Sequence, residues 1–320
     1  MLALLRLLQD GHFHSGAALG EALGISRSAV WKQLQCAEAK WGLTLHRVRG
    51  KGYRLAYPLS LLDAQRLRAA CTALAWDCRP LAETDSTNAE AMRLLEAGNP
   101  APCLLLAESQ SVGRGRRGRH WVSPFAENLY YSLALRLDGA TQPIEALSLT
   151  AGLALLKTLH EAGLTRAGLK WPNDVLVDDR KIAGILLELS GDPSAVCHLV
   201  IGIGINVNRR VEAVGIDQPW TSLSLELGNL CDRTELAIRL SVHLQDYLRI
   251  HFAQGFAALR EQWHTHHLWQ GKQTVLISGA GQLTGTVLGV DERGALLLQT
   301  AAGEQRFSGG ELSLRLAHDS

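Results

Sequence analysis

Gly113-Arg114-Gly115-Arg116-Arg117-Gly118-Arg119-His120-Trp121 contains the spacing G-x-G-x-x-G that opens a dinucleotide-binding fold. Its surroundings reject that reading. Trp121-Val122-Ser123-Pro124 comes next, and the proline leaves no amphipathic helix whose N-terminus could hold a pyrophosphate. No G-K-[ST] completes a P-loop either. The flanking sequence predicts short strands at 104–108, 129–137 and 199–207, and helices at 147–159 and 234–259. Residues 175–177 and 182–188 bracket Asp178-Asp179-Arg180-Lys181 as a hairpin. Hairpin-paired strands with separate helices imply a mixed β-sheet with helices packed on it, an α+β domain.

The loop's own chemistry points to an anion. Glycines let backbone N–H groups approach closely, and arginines add forked, permanently charged donors. Four arginines within six residues repel one another, so the loop is expected to order when a phosphorylated or carboxylated ligand neutralises it. Lys170-Trp171-Pro172-Asn173-Asp174 forms a compact cluster at a strand mouth, offering an amide for a base edge and a carboxylate for ribose or metal. Lys181, across the predicted hairpin and just before Gly184, could reach a ligand carboxylate or phosphate. Ser86-Thr87-Asn88 either caps a helix or binds a small polar ligand. Gly202 and Gly204 leave one strand face bare, as a flat ligand lying on a sheet requires.

The N-terminal residues have a different character. Residues 1–57 carry eight Lys or Arg against three acidic residues, a net +5. The remainder, with 24 basic and 28 acidic side chains, is −4. Ser15 and Ser26 stand at helix N-cap positions, and Gly24-Ile25 forms a short turn between the two helices. Val30, Leu34 and Ala37 share one face of the later helix, while Ser26, Arg27, Ser28, Trp31, Lys32 and Gln35 supply its start and its opposite face. A hairpin with the cationic tip Arg49-Gly50-Lys51-Gly52 follows. The pattern is a winged helix-turn-helix with DNA-facing candidates on the helix and at Lys51; a solvated protein–protein module is the alternative. Trp31 could pack on a thymine methyl or sugar, or inside the domain.

The chain divides into a DNA-binding domain at 1–58, a linker helix within 59–79, an α+β domain at 80–269 and a small β-barrel at 270–320. The last is built from runs at 274–277, 283–290, 295–299, 305–308 and 312–316. His264, His266 and His267 read as solvated helix-end side chains. The 320 residues are 47% apolar and 20% charged, which fits a globular protein. No apolar run approaches a membrane span, no secretory signal opens the chain, and six scattered cysteines without C-x-x-C suit reduced cytosolic thiols.

Taken in order, Gly113-Arg-Gly-Arg-Arg-Gly118, Lys170-Trp-Pro-Asn-Asp174, Arg180-Lys-Ile-Ala-Gly-Ile185 and Gly202-Ile-Gly-Ile-Asn206 strongly resemble the bifunctional biotin ligase/biotin-operon repressor family. The likeness runs from Phe13-His-Ser-Gly16 through Ser123-Pro-Phe125 to Gly309-Gly-Glu-Leu-Ser313. It implies a biotin/lipoate ligase-like central domain, an SH3-like C-terminal domain and two half-reactions. Biotin and Mg-ATP give biotinyl-5′-adenylate, which then acylates a lysine of the biotin carboxyl carrier protein of acetyl-CoA carboxylase. By matching motifs, Ser86, Thr87, Asn88 and Gln110 would line the biotin pocket beside Gly184, Gly202 and Gly204. Arg114, Gly115 and Arg116 would close over the adenylate. Lys181 would contact the biotin carboxylate and α-phosphate, with Lys181 and Arg116 the catalytic pair. Arg119, Trp121, Lys170, Asn173 and Asn206 are further adenylate candidates, and Asp174 a magnesium or ribose candidate. The resemblance also implies a cytoplasmic homodimer that represses biotin biosynthesis at operator DNA when adenylate is bound. A biotin-sensing transcription factor without catalysis and a lipoate-type adenylating ligase are the competing readings.

Overall fold

Leu4, Leu5 and Leu8 close the first helix, α1 (Leu2–Leu8), onto the core of the N-terminal domain. The structure is a computed structural model describing residues 1–138, 143–192, 196–210, 218–278, 281–309 and 312–317, so Gly310 and Glu311 of the Gly309–Ser313 stretch lie outside the described residues. Ser15 caps α2 (Gly16–Leu23) by accepting the Ala18 N–H at 3.0 Å, and Ser26 caps α3 (Arg27–Trp41) by accepting that of Ala29 at 3.2 Å. The turn between them is tight: a Cβ on Gly20 would lie 2.6 Å from the Ile25 carbonyl oxygen. Val30, Leu34 and Ala37 are fully buried. The wing follows as β1 (Leu45–Val48) antiparallel to β2 (Gly52–Leu55), and Tyr53 of β2 pairs back with His14.

The second segment was expected to be helical from Leu59, yet α4 spans Ala64–Ala73. Asp63 accepts the Gln65 and Arg66 N–H groups and fixes its start. The preceding residues are held out of the helix: the buried Arg233 guanidinium donates to the Ser60 carbonyl, and the Leu62 N–H donates to Glu108. Leu67 and Cys71 of α4 are buried in the central core.

That core covers a mixed seven-stranded sheet. Its elements are β3 (Asp77–Leu81), α5 (Thr87–Glu96), β4 (Cys103–Ala107), β5 (Leu129–Asp138), α6 (Leu147–Glu161), β6 (Gly168–Lys170), β7 (Asp174–Val177), β8 (Arg180–Gly191) and β9 (Val196–Ile205). Strand order is β3-β4-β5-β9-β8-β7-β6, with β3 and β4 parallel and every other pair antiparallel. The apolar helix α6 packs with α8 (Arg233–Gln254), and the short α7 (Leu223–Leu227) precedes α8. The pattern expected to run as one helix to Leu259 breaks at Gly255, whose φ of 72° suits a residue without a Cβ. A 3-10 turn at Phe256–Leu259 and α9 (Arg260–Thr265) continue the chain.

The last domain is entirely antiparallel. It contains β10 (Gln273–Ser278), β11 (Gly281–Val290), β12 (Leu296–Thr300), β13 (Gly303–Phe307) and β14 (Ser313–Leu316), in the order β13-β12-β11-β10-β14. All five expected runs are strands. The histidines before it are not uniformly solvated. His267 is 5% exposed against Trp263, and His264 Nε2 lies 3.0 Å from the Val290 carbonyl oxygen, because this turn is packed between two domains.

Candidate active site

Gly202 and Gly204 occupy successive inward positions of β9, opposite Ser132 and Tyr130 of β5. A Cβ on Gly202 would lie 2.2 Å from Asn88 Oδ1, and one on Gly204 would lie 2.5 Å from the Trp121 ring. The bare strand is therefore a cavity floor, one that any larger residue would fill. The cavity encloses about 990 Å³ counted out to its open mouth.

One end is a neutral polar cluster. Ser86 accepts the Ala89 N–H as the N-cap of α5, which places Thr87 and Asn88 on the first helical turn, buried and facing the cavity. The capping and pocket readings of this triplet therefore coexist. Gln110 Oε1 accepts from the Thr87 N–H (2.8 Å) and hydroxyl (3.1 Å), and its amide donates to Ser123. Ser132 Oγ lies 2.7 Å from Thr87 Oγ1 and 2.6 Å from Asn88 Oδ1. The Asn88 amide donates to Glu188.

The other end is cationic. The arginine–glycine loop folds over the cavity, pinned by pairing of Arg114 with His120 and by the Gly115 N–H donating to the Arg119 carbonyl at 2.7 Å. Arg114 pairs with Glu188 at 3.1 Å, and Arg116 donates to Asn173 Oδ1 at 2.8 Å. Burial draws the Arg116 pKa below the ordinary guanidinium value, against the attraction of Asp174. Burial likewise lowers the Lys170 pKa, only partly offset by Asp174, with Lys181, Arg315 and Arg119 adding repulsion. Lys181 on β8 extends across the hairpin to Asp174, with Nζ 2.6 Å from Oδ1 and 5.6 Å from the centre of the Trp121 ring. The site is a partly desolvated cluster of cations beside a hydrogen-bonding pocket, suited to an anionic ligand with a small polar head.

Seventeen residues were expected in or around this site, and sixteen line the cavity, including Arg119, Asn173 and Gly184. Asn206 does not. It is buried, with its amide donating to the Lys181 carbonyl at 3.4 Å, so it braces the strand that carries Lys181. Asp174 is a poor metal ligand, since it lies between Lys181 and Lys170. Among the described residues no cluster of three His, Cys, Asp or Glu could hold a metal. Sequence reading missed Tyr130, which lines the cavity opposite Gly204, Ser132, which holds Thr87 and Asn88, and Leu312, Ser313 and Leu314, which arrive from the C-terminal domain. No local signal marks those last three.

Of the residues expected to meet DNA, Arg27, Ser28, Trp31, Lys32, Gln35 and Lys51 are all exposed. Ser26 is committed to its cap and sits 2.9 Å from Ser28 Oγ. Trp31 does not pack inside.

A helix-turn-helix domain joined to a mixed-sheet domain with an arginine–glycine loop over a glycine floor defines a protein ligase of the biotin/lipoate type. Comparisons with known proteins agree. The Biotin/lipoate A/B protein ligase family model matches residues 81–206, the Biotin protein ligase C terminal domain matches 271–315, and an HTH domain matches 1–54. The chain belongs to the biotin/lipoate A/B protein ligase family. It is 40% identical over 318 residues to the bifunctional ligase/repressor BirA of Salmonella typhimurium, covering 99% of this chain and 98% of that protein. It is 37% identical to the biotin–[acetyl-CoA-carboxylase] ligase of Paracoccus denitrificans over 72% of this chain and 98% of that protein. Among solved structures, the biotin protein ligase from Aquifex aeolicus in complex with biotin and ATP superposes with a TM-score of 0.67 at 32% identity, covering 75% of this chain and 99% of that one.

Proposed function

We propose that this protein is an ATP-dependent biotin–protein ligase and a transcriptional repressor controlled by its own intermediate. The observation that carries the ligase reading is Lys181 Nζ, positioned by Asp174 at the cavity floor beneath the arginine–glycine loop. A biotin carboxylate oxygen attacks the α-phosphorus of ATP, forming the acyl–phosphate bond as pyrophosphate leaves. The amine of a carrier lysine then attacks the acyl carbon, losing a proton as AMP departs. The first step brings two anions together, a repulsion that fixed cations relieve, and in the second the same cations stabilise the phosphate of the departing AMP.

The buried donors and acceptors of Ser86, Thr87, Asn88 and Gln110 suit the ureido ring of biotin, which both donates and accepts hydrogen bonds. Gly184, Gly202 and Gly204 leave room for its fused rings. Arg114, Gly115 and Arg116 would close on the adenylate. Arg119, Trp121, Lys170 and Asn173 surround its phosphate and base, and Asn206 acts by positioning Lys181. Magnesium would arrive on the ATP phosphates, as it commonly does in nucleotide sites.

The carrier would be the biotin carboxyl carrier protein of acetyl-CoA carboxylase, and the compartment the cytoplasm. No described helix is long and apolar enough to cross a membrane. Residues 1–58 would bind operator DNA through Ser26, Arg27, Ser28, Trp31, Lys32, Gln35 and Lys51. Residues 59–79 connect to the catalytic unit at 80–269, capped by 270–320. A homodimer is supported by β8: β7 pairs with it only from Arg180 to Gly184, Asn173 and Asn88 meet Ile185 and Leu186, and among the described residues no strand pairs with that edge further toward Gly191, where Leu189 is 46% exposed.

Biotin-dependent exchange of labelled pyrophosphate into ATP tests the reading. Wild type should exchange with biotin and not with lipoate, and Lys181→Ala should lose about 10²–10³-fold of the rate, as loss of one transition-state donor does. Folded wild-type protein that exchanges nothing would leave a non-catalytic sensor as the better account. Exchange with lipoate alone would reassign the substrate.

A further inference from the structure

Trp31 breaks the pattern of its helix. Val30 and Leu34 on α3 are fully buried, whereas Trp31, a larger apolar side chain, is 43% exposed. Indole side chains favour surroundings that cover the ring, which is why they concentrate at interfaces. The helical period puts Trp31 on one face with Arg27, Ser28 and Gln35, with Lys32 at its margin, and all of them are exposed. The nearest acid along the helix, Glu38, is engaged by Arg47 of the wing strand. Arg49 and Lys51 at the exposed wing tip extend the positive charge. A ring set in a cationic helical face, beside a cationic hairpin, is complementary to duplex DNA rather than to an apolar protein groove.

Within a major groove that admits such a helix, the base edges present hydrogen-bond donors and acceptors and one apolar group, the C5 methyl of thymine. An indole has a single N–H donor and a broad apolar face. Its apolar face matches that methyl group and no other base-edge feature. We propose that Trp31 is a specificity residue, selecting an A·T pair at one operator position by packing against the thymine methyl. The proposal rests on the DNA-binding reading above and adds to it the base that one side chain reads.

The test isolates the methyl group. Full-length protein supplied with biotin and ATP is used to select duplexes from a random-sequence library. The selected duplex is then resynthesised with each thymine replaced in turn by deoxyuridine, which removes only the methyl. Kd values are measured at one salt concentration, because phosphate contacts make affinity salt-dependent. Burial of one methyl corresponds to about a fourfold change in Kd. Wild type should therefore weaken about fourfold at one thymine, Trp31→Phe should respond at the same position, and Trp31→Ala should be indifferent there. Melting temperatures of both variants separate a lost contact from an unfolded domain. The proposal is overturned if Trp31→Ala responds to every deoxyuridine as wild type does, or if it selects the same bases at every position. Recovery of no preferred sequence by wild type would instead remove the DNA-binding reading, and this assignment with it.

Discussion

At the scale of single residues, the site depends on atoms that are absent as much as on those present. Asn88 is held by Ser132 and Glu188 and has little freedom to retreat from a new Cβ at Gly202. Gly202→Ala should therefore lower biotin affinity at least tenfold while costing about 1–3 kcal/mol of stability, the usual penalty for overpacking; titration calorimetry and a denaturant melt read the two effects separately. His267 carries a second prediction. Burial pushes its imidazole pKa from 6.5 down to about 4, so the folded state keeps it neutral while the unfolded chain protonates near pH 6.5. Its unfavourable linkage is absent above pH 6.5, grows as pH falls toward 4, and reaches about 3 kcal/mol there. Burial lowers the His251 pKa in the same sense. Urea melts should show stability dropping between pH 7 and pH 5, and His267→Leu should flatten that slope. An unchanged slope in the variant would place the acid sensitivity elsewhere.

At the scale of elements, the reading helix and the ligand loop are neighbours through one aromatic pair. Trp41, the last residue of α3, stacks on Phe125 with ring centroids 4.0 Å apart and planes 12° from parallel. Phe125 lies four residues beyond Trp121 of the cavity, and Lys40 pairs with Glu83 at 2.5 Å nearby. Phe125 is 3% exposed and belongs to the N-terminal core, so Phe125→Ala should cost about 3 kcal/mol. That loss should appear as faster amide exchange across the N-terminal domain, whereas uniform acceleration over the whole chain would show that Phe125 supports the central sheet instead. Ser26→Ala removes the cap of α3 and should cost about 1 kcal/mol, measurable in the same experiment.

At the scale of the whole molecule, two features join parts distant in sequence. Leu312, Ser313 and Leu314 complete the cavity wall from the C-terminal domain, and Arg116 donates to the Leu312 carbonyl at 3.3 Å. Beyond Ile185 and Leu186, whose backbone groups meet Asn173 and Asn88, no described strand pairs with the β7-facing edge of β8, and such an edge can template a second sheet. If that edge forms the homodimer, wild type should sediment as a dimer with biotin and ATP, and Leu189→Glu should stay monomeric. A dimer that survives the substitution would need another surface.

Much of this protein is written locally. Serine caps, the Gly24 turn and the buried triplet Val30, Leu34 and Ala37 specify the helix-turn-helix, because capping and helical periodicity act over a few residues. The five C-terminal strands and the cation-rich loop were legible for the same reason. Other features depend on partners far along the chain. The edge strand β3, Asp-Cys-Arg-Pro-Leu, carries no alternating pattern and exists because β4 pairs with it. Helix α4 begins at Ala64 because Arg233 and Glu108, distant in sequence, hold the preceding residues out of the helix. Asn206 sits in a glycine-strand motif yet its amide braces the Lys181 carbonyl, and His267 is buried against Trp263 where its turn pairs with Leu169, distant in sequence. Sequence by itself determined which residues could bind an anion, cap a helix or alternate along a strand, since those properties belong to short-range geometry. Only the tertiary structure decided which of them share one cavity, because burial and long-range hydrogen bonds arise when separate elements pack.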